Sequence, residues 1–317
     1  MGGALDPTVA AGRNLVRHAL ADLEAGSRIV VGLSGGADSL ALATVTAFVA
    51  DRESYDLRAV IVDHQLQSGS GDIAEAAATQ LSAIGVKADV VAVEVGSAGG
   101  PEAAARRARY AALESVDADA VLLGHTLDDQ AETVLLGLGR GSGPRSIAGM
   151  APVDGRWRRP FLQLRRSDTE QICRAYDLRW WADPHNTDPA YRRSRIRSEV
   201  MPLLEDVLGG GVAEALARTA EQVRIDGAHL DTLADAVVDP LDIATLENLP
   251  DALRSRVLRR AALDAGADSS AMTAAHIAEL DRLVTDWRGQ LRIELPGGVA
   301  CVRVGDSLTF VATPVAG

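Results

Sequence analysis

The run Ser34-Gly35-Gly36-Ala37-Asp38-Ser39 joins an apolar stretch to a stretch of helix formers, and its residue types suit the capture of an anion. Two glycines let the backbone approach a phosphate closely, while free N–H groups and the dipole of a following helix supply partial positive charge. The loop has no lysine, as a GxxxxGK[ST] loop serving γ-phosphate transfer would, and it does not match GxGxxG. A second group, Gly124-His125-Thr126-Leu127-Asp128-Asp129-Gln130-Ala131-Glu132, also follows an apolar run. On a helix starting near Asp128, Asp129 and Glu132 are three apart and share one face, with His125 ahead of them. Asp63-His64 closes another apolar run, and Arg106, Arg109 and Tyr110 occupy a further helical stretch. A strand cap and a solvated charged face explain those last residues as readily as a site does.

These groups need a scaffold that brings the ends of several apolar runs to one edge. The first half alternates short apolar runs with amphipathic stretches, the sequence form of βα units in a parallel sheet. The pattern predicts strands over Arg28–Leu33, Leu57–Asp63, Val86–Val95 and Ala120–Gly124, with helices over Ser39–Asp51, Asp72–Ile84, Glu102–Ser115 and Asp128–Leu138. The expected fold class is α/β, a doubly wound, mainly parallel sheet. Ligands there bind beyond the carboxyl ends of the strands, where the unusual residues stand. Past Pro202 the composition shifts to Ala, Leu, Asp and Arg, interrupted by Gly209-Gly210-Gly211, and Leu291 to Val304 alternates around Pro296-Gly297-Gly298 as a hairpin does. We therefore expect a nucleotide-binding catalytic domain over 1–208 and a mainly helical domain over 209–317 ending in a short β-hairpin.

The chain has 317 residues and a net charge of −12, which taken alone argues against a nucleic-acid partner. The average hides a reversal: 156–197 contains eleven arginines against five acids. No apolar stretch reaches the ~20 residues of a membrane span, and the first residues carry no signal-peptide pattern, so the expected location is the cytoplasm. Two cysteines, Cys173 and Cys301, form neither a CxxC pair nor a four-cysteine metal site.

The pattern Ser-Gly-Gly-x-Asp-Ser resembles the PP-loop of ATP pyrophosphatases, which have an adenine nucleotide hydrolase-like fold and cleave ATP between the α and β phosphates. With VDHQL, ARRARY, GHTLDDQAET, GRGSG, RRPFL and DPHNTDPAYRRSRIR followed by MPLL, the chain from about 28 to 205 resembles the tRNA(Ile)-lysidine synthetase family in order and spacing. The resemblance implies an ATP-dependent ligase whose partners are isoleucine tRNA with a CAU anticodon and free L-lysine. AMP is attached to the C2 carbonyl oxygen of the wobble cytidine, and lysine then attacks C2 through its ε-amine and releases AMP. By position, Ser34, Gly35, Gly36, Ala37, Asp38, Ser39, Asp63 and Gly124 would bind ATP, and Asp38 would place Mg²⁺. Asp129 and Glu132 would hold lysine, His125 and Arg106 (or Arg109) would stabilise developing charge, and Arg193, Arg195 and Arg197 would meet tRNA. Ser194 stands where the family usually has Asn. The oligomeric state stays open, a homodimer among the options. Competing readings are a PP-loop tRNA thiolase, which relies on cysteines, an amidating PP-loop synthetase, and a nucleotide sensor without turnover.

Overall fold

The structure, a computed structural model, describes residues 5–65, 69–93, 96, 101–141, 143–183, 188–269, 271–289 and 292–313, without the side chains of 101–103. Leu66 of VDHQL, Ser142 of GRGSG, 184–187 of DPHNTDPAYRRSRIR and the end of the expected third strand, 94–95, lie outside the described residues. The chain divides into two compact units, residues 1–136 with 149–218 and residues 137–148 with 219–317.

The first unit opens with α1 (Pro7–Ala19), which the sequence reading did not anticipate: Asp6 caps it by accepting from Thr8 N–H at 2.8 Å, and Pro7 takes the first turn. Then follow β1 (Arg28–Leu33), α2 (Ala37–Glu53), β2 (Asp56–Asp63), α3 (Ser70–Ala83), β3 (Lys87–Ala92), α4 (Pro101–Glu114), β4 (Ala120–Leu123) and α5 (Leu127–Arg140). After the short α6 (Pro144–Ile147), two-residue strands β5 (Val153–Asp154) and β6 (Trp157–Arg158) complete a six-stranded sheet of order β3-β2-β1-β4-β6-β5, antiparallel only at β5. The expected doubly wound, mainly parallel sheet is present, its four main strands agreeing with the pattern to within a few residues at the ends.

Burial explains why those strands read as continuous apolar runs. Ile29, Val31, Leu33, Ala59, Ile61, Ala120 and Leu122 point into one core, whereas Val30, Val60, Val62, Val121 and Leu123 point into the other. Side chains alternate between faces with period 2, and both faces are covered. Gly32 belongs to the second face, where a Cβ would lie 3.0 Å from a Leu113 methyl.

The unit continues through α7 (Arg166–Ala175), α8 (Arg192–Arg195), a π-helical turn (Ile196–Val200), α9 (Met201–Val207) and the first turns of α10 (Val212–Asp235). In the second unit the rest of α10 packs with α11 (Ile243–Glu247), α12 (Asp251–Asp264) and α13 (Ala274–Thr285) around Leu246, Leu258, Leu280 and Leu283. The terminal sheet is larger than the hairpin expected: β7 (Ile293–Leu295), β8 (Val299–Val304) and β9 (Ser307–Ala312) form three antiparallel strands. No helix among the described residues is long and apolar enough to cross a membrane.

Candidate active site

The sheet order reverses beside β1, since β2 pairs on one side of it and β4 on the other. Connections leaving the carboxyl ends of β1 and β4 therefore diverge to opposite faces and open a crevice between them. The Ser34–Ser39 loop leaves β1 and the Gly124–Glu132 segment leaves β4, so the two motifs meet there.

In the first loop Gly35 has φ +79°, a conformation that side chains resist, and the chain then enters α2 at Ala37. Ser39 Oγ accepts from Ser34 N–H at 3.1 Å and donates to Gly36 carbonyl at 3.1 Å, and Trp181 N–H donates to Gly35 carbonyl at 3.0 Å. Gly124 has a separate role. A Cβ there would lie 3.0 Å from the backbone carbonyl group of Asp38 and 3.1 Å from Ser39 Cα, so only glycine lets the two loops approach this closely. Asp63 Oδ1 accepts from Gln65 N–H at 2.9 Å, a local turn that gives the carboxylate a structural task.

Asp38, Asp129 and Glu132 are joined by arginines. Arg166 Nε donates to Asp38 at 3.3 Å and its Nη2 to Asp129 at 3.1 Å, while its backbone N–H donates to Asp128 at 2.7 Å. Thr169 Oγ1 also donates to Asp38. Arg197 Nε donates to Glu132 Oε1 at 2.8 Å, and its Nη2 lies 3.5 Å from Asp129. Glu132 is 1% exposed, and its second oxygen, Oε2, is buried with no hydrogen-bond partner. Burial pushes the Asp38 and Glu132 carboxyls up, opposed by Arg166 and Arg197 respectively. At Asp129 burial pushes the same way, but Arg166, the Thr126 N–H and Arg197 outweigh it and hold the carboxyl below its ordinary value.

His125 is buried, and its Nδ1 has no partner. Burial, then Arg109, pushes its imidazole down to about 3 against the pull of Asp129, and Arg109 acts on it more strongly than Arg106. Arg106 Nη2 donates to Tyr110 Oη at 3.2 Å, with the guanidinium 4.9 Å from that ring's centroid. His64, half-buried with an unpartnered Nδ1, is likewise pushed down by burial and by Arg109. A neutral His125 has a consequence for stability. The unfolded imidazole takes a proton near pH ~6.5, whereas the folded one stays neutral down to about 3. The unfolded state then binds more protons between those values, and stability falls as pH drops through that window. We expect His125→Gln to lose less stability than the parent between about pH 7 and 4. Urea melts at a series of pH values check this, and parallel losses would show that His125 titrates normally in the folded protein.

Arg195 is exposed and pairs with Glu199 at 2.8 Å, and Arg193, half-buried, bears on Arg109. Much of the basic segment is engaged within its own unit: Arg158 pairs with Asp22, Arg165 with Asp128 and Glu214, and Arg159 donates to Ala151 carbonyl. Arg166 and Thr169 were the site residues that sequence reasoning passed over. The signal was present, since three carboxylates gathered in one crevice require cations close by. Ser194 is buried, and Ser198 Oγ donates to its carbonyl at 2.8 Å.

The oxygen donors fit a hard cation. Mg²⁺ is usually held by one or two carboxylates together with phosphate oxygens and water, and Asp38 and Asp129 offer carboxylates of that kind beside the loop, both engaged by Arg166. The thiols do not fit sulfur delivery. Cys173 Sγ donates to Ala37 carbonyl at 3.3 Å, both cysteines are buried, and burial pushes each thiol up to about 12.

Fold and site together define a PP-loop nucleotide-binding protein: a family model described as PP-loop domain matches residues 10–204, and one described as TilS substrate binding domain matches 241–309. A U34-tRNA thiolase from Methanococcus maripaludis with its [4Fe-4S] cluster shares the fold, with a TM-score of 0.57 at 19% identity over 68% of this chain and 79% of that one. Relatives named tRNA(Ile)-lysidine synthase are much nearer. The Thermobifida fusca protein is 54% identical over 92% of this chain and 94% of its own, and that of Salinispora tropica is 47% identical over 97% and 98%. The chain belongs to the tRNA(Ile)-lysidine synthase family.

Proposed function

We propose that this protein ligates lysine to C2 of the wobble cytidine of isoleucine tRNA bearing the CAU anticodon. The observation that carries the reading is the meeting of a lysine-free phosphate loop with three carboxylates from two helices at the β1/β4 crevice. The N–H groups of the Ser34–Ser39 loop hold the pyrophosphate of ATP, and Gly124 keeps the second loop close to it. Asp38, with Asp129 beside it, would hold Mg²⁺, which supplies charge neutralisation of the phosphates when bound. The C2 carbonyl oxygen of cytidine attacks the α-phosphorus and pyrophosphate leaves. Lysine, stripped of its ammonium proton, then attacks C2 through its ε-nitrogen, and AMP leaves with the oxygen. His125, neutral, can donate one hydrogen bond to developing charge without carrying charge of its own. Both candidate arginines, Arg106 and Arg109, act on His125 and so stand close enough to share in stabilising that charge.

ATP should yield AMP and pyrophosphate only with tRNA present, and radiolabelled lysine should enter the RNA. ADP and phosphate as main products would remove the PP-loop reading.

Residues 1–208 then carry the chemistry and 209–317 tRNA recognition, with 156–197 contributing RNA contacts. Within that segment Arg193 and Arg195 are the residues suited to phosphate, because the Arg195–Glu199 pair is exposed and such pairs contribute little. Arg193→Gln with Arg195→Gln should flatten the log–log salt dependence of tRNA binding by roughly 0.7 to 0.9 per lost contact. An unaltered slope would assign both arginines to intramolecular pairing.

A further inference from the structure

We propose that Arg197 is a resident counter-ion of Glu132 whose place the ε-ammonium of lysine takes, so that Arg197 competes with the substrate and sets how strongly, and how selectively, the acidic pair binds it. The inference rests on the lysine reading of Asp129 and Glu132.

The Arg197 guanidinium contacts the two carboxylates assigned to lysine, at 2.8 Å to Glu132 and 3.5 Å to Asp129. Its side chain is 30% exposed while that of Glu132 is 2% exposed, so Arg197 covers the carboxylate from the solvent side. An ammonium entering from solvent meets Arg197 first. Glu132 also keeps a buried oxygen, Oε2, for which the protein supplies no donor. An unsatisfied buried acceptor is costly, and an ammonium with three donors can engage both oxygens where the guanidinium Nε engages one. Two arginines pair with the three carboxylates, Arg166 with Asp38 and Asp129 and Arg197 with Asp129 and Glu132.

The exchange has a chemical sense. A guanidinium cannot lose its proton in a protein and so cannot act as the nucleophile, whereas an ammonium can. Arg197 therefore fills the amine site with a cation that cannot react. Arg197 lies in a π-helical turn, 196–200, a geometry found mostly as single turns and often at functional sites.

The test measures binding of labelled L-lysine to the full-length protein by equilibrium dialysis without RNA, so that any tRNA contact of Arg197 cannot affect the result. Arg197→Ala and Arg197→Gln should each bind lysine about tenfold more tightly than the parent, the size expected when one charge-assisted bond no longer has to be exchanged. Millimolar guanidinium chloride should abolish the gain in Arg197→Ala, whose vacated volume fits that ion, and leave the parent unaffected. Ornithine should gain at least as much as lysine. Unchanged or weaker lysine binding in Arg197→Gln, with a melting temperature near the parent's, would overturn the proposal. Glu132→Gln separates the two levels. If it leaves lysine binding intact, the lysine site itself is misassigned; if it weakens binding while the Arg197 variants gain nothing, only the counter-ion role falls.

Discussion

Glu132→Gln should raise the lysine concentration needed for half-maximal turnover by about 10- to 150-fold, with the ATP requirement much less affected. The substitution keeps volume and hydrogen-bonding capacity and removes only charge. A charge-assisted hydrogen bond in a partly desolvated site contributes roughly 1.5 to 3 kcal/mol, which sets that range. Glu132 is well placed for such an effect, being buried, paired through one oxygen and unpaired at the other. Burial holds its carboxyl above the ordinary value, so the folded carboxyl loses its charge at a higher pH than a free one. Lysine affinity in the parent should accordingly weaken on acidification earlier than a free glutamate would predict, and this limb should be absent in Glu132→Gln. The measurement is lysine dependence at saturating ATP and tRNA. A variant with normal lysine dependence and impaired ATP binding would assign the acidic pair wholly to the metal.

Asp38→Ala should lower turnover by about a hundred- to a thousandfold, the size of loss typical when one preorganised electrostatic group is removed from an active site. Folding should change little. Asp38 sits in the first turn of α2 with its side chain partly exposed, and Arg166 retains Asp129 as a partner when Asp38 is gone. Burial also pushes the Asp38 carboxyl up, so ionising it in the fold is already unfavourable and its loss relieves part of that penalty. AMP release with tRNA and lysine present, read beside a calorimetric melt, checks both halves. A folded Asp38→Ala protein retaining more than about a tenth of the activity would show that Asp38 places no essential charge.

The scaffold was readable because its strands are buried on both faces. Arg28–Leu33 could be placed from Ile29, Val30, Val31 and Leu33 alone, and the loop behind it from Gly35, which must adopt positive φ. The α1 helix is not legible in the same way despite Asp6 and Pro7, because it buries only Val9, Gly12 and Val16 and shows a narrow apolar stripe. The strands β5 and β6 have two residues each, too few for any period to show. The site itself was half legible. Asp129 and Glu132 share a helix face that spacing predicts, but Arg166 and Arg197 reach them from segments 37 and 65 residues away in sequence. Counting arginines between 156 and 197 suggests a surface for RNA. The fold turns several of them inward, onto Asp38, Asp129 and Glu132 among others, and no local pattern distinguishes an inward arginine from an outward one.

Gly124 carries no functional group, yet adding one carbon atom there would bring it within 3.0 Å of the Asp38 backbone. That backbone has no rotamer with which to yield, so the added carbon would drive the two loops apart. The lesion would then look like a nucleotide defect caused by a residue on another strand. In any survey of variants, position 124 should group with the first loop rather than with its own sequence neighbours, and the two segments cannot be redesigned one at a time.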